Sequence, residues 1–98
     1  MNAEPRLERN EDRSRYELWQ EGELVGTLKY RVDPDAMVLV HTRVDPAYEG
    51  HGYGSRLVAG ALADLRAKGV KVVVECDFAR AYIKRHPEHQ DLVLERSA

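Results

Sequence analysis

Polar and apolar positions alternate with a period of two in the segment Arg15–Gln20. A tight turn follows at residues 21–23, and residues 24–32 then resume extended structure. Two extended segments on either side of a tight turn predict a β-hairpin. After a proline-containing turn at residues 33–36, Met37–Val44 is nearly continuous in apolar residues, as in a central strand that is covered on both faces. These three strands predict an antiparallel meander.

The hydrophobic period changes from two to that of a helix in the second half of the chain. The pattern predicts a helix over residues 55–68, and Gly69 is placed to end it. The apolar face of this helix consists of Leu57, Val58, Ala61, Leu62 and Leu65. Residues 70–75 are rich in valine and predict a short buried strand. A strand, a helix and a strand in this order predict a right-handed crossover with parallel strands.

A shorter helix follows the crossover and completes the predicted fold. Asp77 is placed to cap this helix, which continues to about Arg85 before Pro87 ends it. Its predicted apolar face consists of Phe78, Ala79, Tyr82 and Ile83. The fold class is therefore α/β in the wider sense (α+β): a mixed sheet that joins a three-stranded antiparallel meander to a βαβ crossover. Residues 1–14 are polar and predict a flexible N-terminal tail, or an arm that docks late in folding, before a single compact domain over residues 15–98.

Composition adds exclusions to this picture. A chain of 98 residues fits one small domain, and its formal net charge of -2 offers no basic surface for a nucleic acid or a membrane. The single cysteine, Cys76, excludes an internal disulfide and a CxxC metal pair. The N-terminus does not read as a signal peptide, and no segment approaches the ~20 apolar residues of a membrane span. The predicted location is the cytoplasm.

Three glycines alternate in residues 50–54, which we call the glycine loop, between the buried strand and the long helix. Glycine lets the backbone turn sharply and lets an anion approach closely. The first turn of the helix offers unpaired N–H groups and the positive end of the helix dipole. Together these features predict a phosphate-binding site, although a turn with convenient glycines is the simpler alternative. The loop has neither the lysine of a P-loop nor the glycine spacing of a dinucleotide fold.

The segment around the glycine loop resembles a known motif. Residues 44–58, with the sequence VDPAYEGHGYGSRLV, resemble the acyl-CoA-binding motif of the GCN5-related N-acetyltransferases. Three other segments resemble a compact subgroup of that family: His41-Thr42, Cys76-Asp77-Phe78 and Tyr82-Ile83-Lys84-Arg85-His86-Pro87-Glu88. The resemblance covers residues 16–94. It implies transfer of an acyl group, expected to be acetyl, from acetyl-CoA to an amine, with no metal.

The resemblance also implies which residues bind CoA, with the loop amides on its pyrophosphate. The implied set is Val44, Gly50, His51, Gly52, Tyr53, Gly54 and Ser55. Three positions depart from the family pattern. Glu49 stands where the motif has Arg or Gln, so this carboxylate either points away from the phosphates or weakens CoA binding. Arg43 replaces a frequent Glu of the subgroup, and Asp77 replaces a usual Pro.

Acyl transfer to an amine requires a base, a way to stabilise the tetrahedral intermediate and an acid for the departing thiolate. Tyr82 is the candidate acid, by resemblance to the wider family, or else a core aromatic residue packed against Phe78. Cys76 ends a strand just before a helix, where a thiol can become nucleophilic, and His41 on the neighbouring strand can pair with it. Cys76 is alternatively a small buried residue, and His41 a base that acts through water or a core histidine.

Two other polar groups have simpler interpretations. Asp77 is expected to cap a helix rather than act as a general base. His86, Glu88 and His89 lie close together in the sequence, but no further ligand group is spaced to complete a metal site. A solvated helix end is therefore expected there.

The acceptor is predicted to be a small-molecule or protein amine, of an identity that the sequence does not give. The resemblance implies that full-sized relatives shape the acceptor pocket with additional N-terminal helices, which are not expected in this chain. The acceptor site is therefore expected to be open, shared with a second subunit of a homodimer, or adapted to a protein tail. Two other classes remain as alternatives: a CoA-binding module that senses acyl-CoA without turnover, and a small interaction protein whose glycine loop is only structural.

Overall fold

The computed structural model describes residues 4–96, which form one five-stranded mixed sheet and two α-helices. The strands lie in sequence order across the sheet and are β1 (Arg6–Asn10), β2 (Arg15–Gln20), β3 (Glu23–Val32), β4 (Met37–Val44) and β5 (Val72–Val74). The first four pair antiparallel in succession, and β5 pairs parallel with β4. The predicted meander and crossover are confirmed, with one additional strand. The outermost parts of the predicted tail and domain, residues 1–3 and 97–98, lie outside the described residues.

Each of the two α-helices follows one of the two parallel strands. Helix α1 (Tyr53–Ala67) joins β4 to β5, and helix α2 (Asp77–Arg85) follows β5. Two 3₁₀ turns, Pro46–Tyr48 and Pro87–Leu92, precede α1 and follow α2. The five residues predicted for the apolar face of α1 are fully buried, which confirms that face. Within residues 4–96 no helix has the length and apolar character to cross a membrane.

The N-terminal segment is a strand rather than a flexible tail. β1 pairs with β2 along its whole length, and its Leu7 packs against α1 so closely that a Cβ at Gly60 would lie 2.5 Å from Leu7 Cδ2. The guanidinium of Arg9 lies 5.1 Å from the centre of the Tyr30 ring and donates a hydrogen bond to the Tyr30 hydroxyl. The prediction of a tail over residues 1–14 is therefore wrong for β1. β1 is held to the rest of the protein by one leucine and one arginine–aromatic contact. These contacts leave no periodic pattern of apolar residues in the sequence from which a strand could be predicted.

Helix α1 covers one face of the sheet, and the face opposite it is polar. Gly26 of β3 lets the helix approach closely, since a Cβ at this position would lie 2.9 Å from Leu57 Cδ1. Side chains of neighbouring strand residues point to opposite faces, and Lys29 of β3 and His41 and Arg43 of β4 are exposed. The sheet therefore has a packed face and, along β3 and β4, a face open to solvent.

The parallel strands β4 and β5 diverge shortly after they pair. Their pairing is confined to Met37–Leu39 of β4 and Val72–Val74 of β5. The N–H groups of both Glu75 and Cys76 donate to the carbonyl of Leu39, at 2.9 and 3.0 Å, and α2 begins directly afterwards. The strand predicted over residues 70–75 is shorter in the structure, Val72–Val74, and this turn ends it. Beyond Leu39, β4 has no strand partner on its β5 side within residues 4–96, which leaves a gap between the two strands.

Candidate functional site

A cavity of about 450 Å³ opens at the start of α1, beside the free part of β4. Six of the seven predicted CoA-binding residues line this cavity: Val44, Gly50, Gly52, Tyr53, Gly54 and Ser55. The others that line it are Thr42, Tyr48, Glu49, Phe78 and Arg85. Of these five, only Glu49 was singled out by the sequence as a residue near the phosphates. We call this space the loop cavity.

The glycine loop places the start of α1 at the loop cavity, and no side chain caps the amides of the first helical turn. Gly50 and Gly52 adopt φ of +86° and +73°, and a Cβ at either residue would meet no protein atom within 4 Å. Gly52 is the N-cap of α1, and no side chain accepts a hydrogen bond there from the first turn. The first turn also contains no acidic residue. The positive end of the helix dipole is therefore uncompensated within the helix and faces an open space, as a bound phosphate requires.

Gly54 has a different role from the other two glycines of the loop. It is buried, and a Cβ at Gly54 would lie 2.7 Å from Cζ of Phe78. The missing side chain of Gly54 therefore lets Phe78 of α2 pack against the first turn of α1. Phe78 was predicted to belong to the apolar face of α2, but its side chain is 41% exposed and forms part of the cavity wall. The remaining residues of that predicted face, Ala79, Tyr82 and Ile83, are buried.

His51 is the one predicted CoA-binding residue that does not line the loop cavity. Its ring stacks on the Tyr53 ring at 5.4 Å between centroids. Tyr53 in turn lies 6.4 Å from the Tyr48 ring, and both tyrosines line the loop cavity. His51 therefore contacts the loop cavity only indirectly, through the Tyr53 ring on which it stacks.

The structure places Thr42, rather than His41, beside Cys76. Thr42 Oγ1 lies 3.2 Å from Cys76 Sγ, within hydrogen-bonding distance for either direction of donation. Cys76 is only 4% exposed and does not line the loop cavity, whereas Thr42 does. Thr42 therefore lines the cavity, and the Cys76 thiol, which is hydrogen-bonded to Thr42, does not. The signal for Thr42 was present in the alternation of β4, because Thr42 and His41 must point to opposite faces.

His41 lies on the open face of the sheet, next to the place where β4 and β5 diverge. The pairs Lys29–His41 and Tyr30–Leu39 leave Val40 without a counterpart in β3, which is a β-bulge. His41 is exposed and follows this bulge directly. Its imidazole therefore faces the side of the gap opposite to the side chain of Thr42.

Tyr82 is buried at the C-terminal half of α2, among histidines. Its ring centroid lies 4.3 Å from that of His86 and 5.8 Å from that of His89. This neighbourhood differs from the alternative that the sequence suggested, in which Tyr82 packs against Phe78. Neither Tyr82 nor the two histidines line the loop cavity, and no group of three or more His, Cys, Asp or Glu side chains suited to a metal occurs within residues 4–96.

Asp77 does not cap α2. Cys76 is the N-cap residue, with no side-chain hydrogen bond to the first turn, and Asp77 is the first helical residue. The Asp77 carboxylate instead accepts a hydrogen bond from Arg80 at 2.7 Å. The prediction of a cap at Asp77 is therefore wrong by one position, although an acidic residue in the first turn still stabilises a helix.

Comparison with known proteins identifies the family of this chain. The family profile described as GCN5-related N-acetyltransferase matches residues 15–92. The chain belongs to this family. No curated protein matches the sequence.

Two solved structures share the fold of this GCN5-related N-acetyltransferase family member. A GCN5-like protein of Staphylococcus aureus, described as a candidate N-acetyltransferase, is 22% identical with a TM-score of 0.69, over 94% of this chain and 90% of the other. The ribosomal-protein alanine N-acetyltransferase of Escherichia coli is 23% identical with a TM-score of 0.63, over 74% of this chain. This chain spans only 50% of the length of the Escherichia coli protein. The family and the fold together support acyl transfer in general.

Glu49, the first departure from the motif, lies beside the glycine loop. It is at the C-terminal end of the 3₁₀ turn and lines the loop cavity. Its effect on CoA binding stays a prediction. Arg43, the second departure, is exposed in β4 and does not line the cavity.

Proposed function

We propose that this protein transfers an acetyl group from acetyl-CoA to an amine by direct attack of the amine on the thioester. The observation that carries the proposal is the uncapped start of α1 at Gly52, which opens onto a cavity of about 450 Å³. The CoA pyrophosphate would accept hydrogen bonds from the amides of the first turn. The pantetheine arm would extend along β4 beyond Leu39, where the strand has no partner on its β5 side within residues 4–96.

The proposed reaction needs few groups from the protein. The amine nitrogen attacks the thioester carbonyl carbon, the tetrahedral intermediate loses CoA as a thiolate, and the amine gives up one proton. His41 would accept that proton, through water if necessary, because its imidazole lies on the open face beside the gap between β4 and β5. Tyr82 remains the predicted donor of a proton to the departing thiolate. The acceptor amine would then approach from the open face of the sheet, where an extended protein tail or a small amine has room.

A titration with CoA tests the binding part of this proposal. A ligand that binds only the folded protein at a hundredfold excess over Kd adds about 2.7 kcal/mol to the free energy of unfolding. We therefore expect CoA to raise the melting temperature, and pantetheine, which has no phosphates, to raise it much less. Loss of the acetyl-CoA thioester in the presence of an amine panel, compared with its loss without amine, then tests the transfer itself. A melting temperature that does not respond to CoA would overturn the proposed function.

A CoA-binding sensor without turnover is the second candidate function. It is favoured by one feature of the site, since none of the predicted catalytic residues Cys76, His41 and Tyr82 lines the loop cavity. CoA binding with no amine-dependent loss of thioester across the panel would favour the sensor. A small interaction protein with a purely structural glycine loop would bind no CoA at all.

Substitution of Glu49 by glutamine should tighten CoA binding. Glu49 lines the cavity that would hold the pyrophosphate, and removal of an exposed like charge is worth about 0.2–1 kcal/mol, or about a 1.4-fold to fivefold decrease in Kd. The gain should shrink at high salt because exposed charges are screened. Isothermal titration at two ionic strengths measures it. Glu21→Gln, in the β2–β3 turn, makes the same change in net charge and should leave the Kd unchanged; equal effects of the two variants would contradict the prediction.

A further inference from the structure

We propose that the Arg85 guanidinium of α2 binds a phosphate group of the acyl carrier, in place of the basic or amide side chain that the motif usually supplies at the position of Glu49. The inference rests on the proposed function and adds a binding residue to it. Arg85 lines the loop cavity together with Glu49 and the glycine loop. It reaches the cavity from a different element, α2, which lies about thirty residues further along the chain.

The position of Arg85 on α2 follows from that of Phe78. The two residues are seven positions apart, so they lie within about 20° of each other around the helix axis and about 10 Å apart along it. Phe78 packs against Gly54 at the start of α1. The face of α2 that carries Phe78 therefore also directs Arg85 towards the loop cavity, two turns further from the helix start. CoA presents phosphate groups at two places, the pyrophosphate and the 3′-phosphate, and either one could meet this side chain.

The charge of Arg85 is not used elsewhere in the described part of the chain. Its side chain forms no ion pair or hydrogen bond with any other residue among 4–96. Two other arginines near the two helix starts are occupied. Arg56 of α1 pairs with Glu4 at 2.9 Å, and Arg80 of α2 pairs with Asp77 at 2.7 Å. Arg85 is therefore the arginine of the cavity wall that is free to meet an anion, within residues 4–96.

The negative charge of Glu49 gives such a cation a role. A phosphate in the loop cavity would gain hydrogen bonds from the amides of α1 but would be repelled by Glu49, which borders the same space. A guanidinium opposite it compensates for that repulsion and forms charge-assisted hydrogen bonds to phosphate oxygens. Arg85 also lies in the last turn of α2, where a cation interacts favourably with the helix dipole. That interaction alone would affect stability and leave CoA binding unchanged.

The experiment compares Arg85→Gln with Lys84→Gln by isothermal titration with CoA, dephospho-CoA and pantetheine. Lys84→Gln is the matched control, because it removes the same charge from the same turn of α2. Lys84 does not line the loop cavity. We expect Arg85→Gln to raise the Kd for CoA about tenfold and Lys84→Gln to change it less than about twofold. Arg85→Lys, which keeps the charge, should recover part of the loss. Melting temperatures of the three variants without ligand verify that each is folded.

The ligand series identifies the phosphate concerned. If Arg85 meets the 3′-phosphate, dephospho-CoA will bind the unaltered protein and Arg85→Gln equally; if it meets the pyrophosphate, dephospho-CoA will show the same tenfold difference as CoA. An unchanged Kd for CoA in folded Arg85→Gln, or equal losses in Arg85→Gln and Lys84→Gln, would overturn the inference and leave the proposed function intact. Failure of the unaltered protein to bind CoA would overturn both.

Discussion

Replacement of Gly52 by valine should raise the Kd for CoA at least a hundredfold in a protein that still folds. Gly52 has φ +73° and is the N-cap of α1, and a Cβ placed there would meet no protein atom within 4 Å. A valine side chain would therefore project into the space that the pyrophosphate is proposed to occupy, and would displace the first-turn amides. Hydrogen bonds to a charged group contribute about 1.5–3 kcal/mol each, so the loss of two of them exceeds a factor of a hundred.

Gly22→Val is the matched control for this substitution. Gly22 lies in the β2–β3 turn with φ +82°, and a Cβ there also meets no atom within 4 Å. A branched side chain in the left-handed region costs about 1–2 kcal/mol at either position, so the two variants should lose similar stability by thermal denaturation. Only Gly52→Val should lose CoA binding by isothermal titration. A folded Gly52→Val protein with an unchanged Kd for CoA would refute the assignment of the phosphate site.

The strands and helices that depend on their own periodicity could be predicted from the sequence. β2 begins and ends where its alternation indicated, β4 begins and ends with its apolar run, and all five residues of the apolar face of α1 are buried. β1 could not be predicted in this way because its burial comes from distant residues. Leu7 fits against Gly60, more than fifty positions away, and Arg9 lies over the Tyr30 ring. A charged strand held by one leucine and one cation–aromatic contact has the same local composition as a solvated tail.

The same division holds within the candidate site. The glycine loop is a local motif, and the structure brings six of its seven predicted ligand residues to one cavity. Phe78 and Arg85 come from α2, and their place in the cavity depends on how α2 packs against the start of α1 at Gly54. No spacing in the sequence encodes that distance. Gly54 is an example of this limit. The alternation of glycines predicted that Gly54 contacts a phosphate, whereas in the structure Gly54 packs against the Phe78 ring.

The side chains of β4 point alternately to the loop cavity and to the open face of the sheet, where the amine is proposed to approach. Thr42 and Val44 line the loop cavity, and His41, between bulged Val40 and Thr42, faces the other side. A thioester carbonyl held at the end of the gap between β4 and β5 would have its CoA portion on one face of the sheet and would be accessible to an amine from the other. A small domain can in this way separate carrier and acceptor without a closed pocket, which is consistent with an acceptor that is itself large or extended.

Incubation with acetyl-CoA in the absence of an amine should leave the protein at its unmodified mass, and the effects of two substitutions on turnover should differ strongly. Cys76 is 4% exposed, and its sulfur lies within hydrogen-bonding distance of the Thr42 hydroxyl. The thiol is therefore poorly placed to attack a thioester in the loop cavity. We therefore expect Cys76→Ala to retain turnover within about threefold. His41→Ala should lower turnover about a hundredfold, the lower range for loss of a general base, and should leave the Kd for CoA unchanged because His41 does not line the cavity.

Intact-mass spectrometry and the turnover of the two variants distinguish direct attack from an acyl-cysteine route. A covalent route predicts one added acetyl group on Cys76, discharged by amine, and loss of nearly all turnover in Cys76→Ala. Direct attack with His41 as base predicts no adduct and a large loss of turnover in His41→Ala alone. Lys29→Ala removes an exposed side chain directly opposite His41 on β3 and serves as the control, because it alters the same surface without removing an imidazole. A stoichiometric adduct on Cys76 that an amine discharges would refute the direct route, and a Lys29→Ala protein as slow as His41→Ala would refute the role of the imidazole.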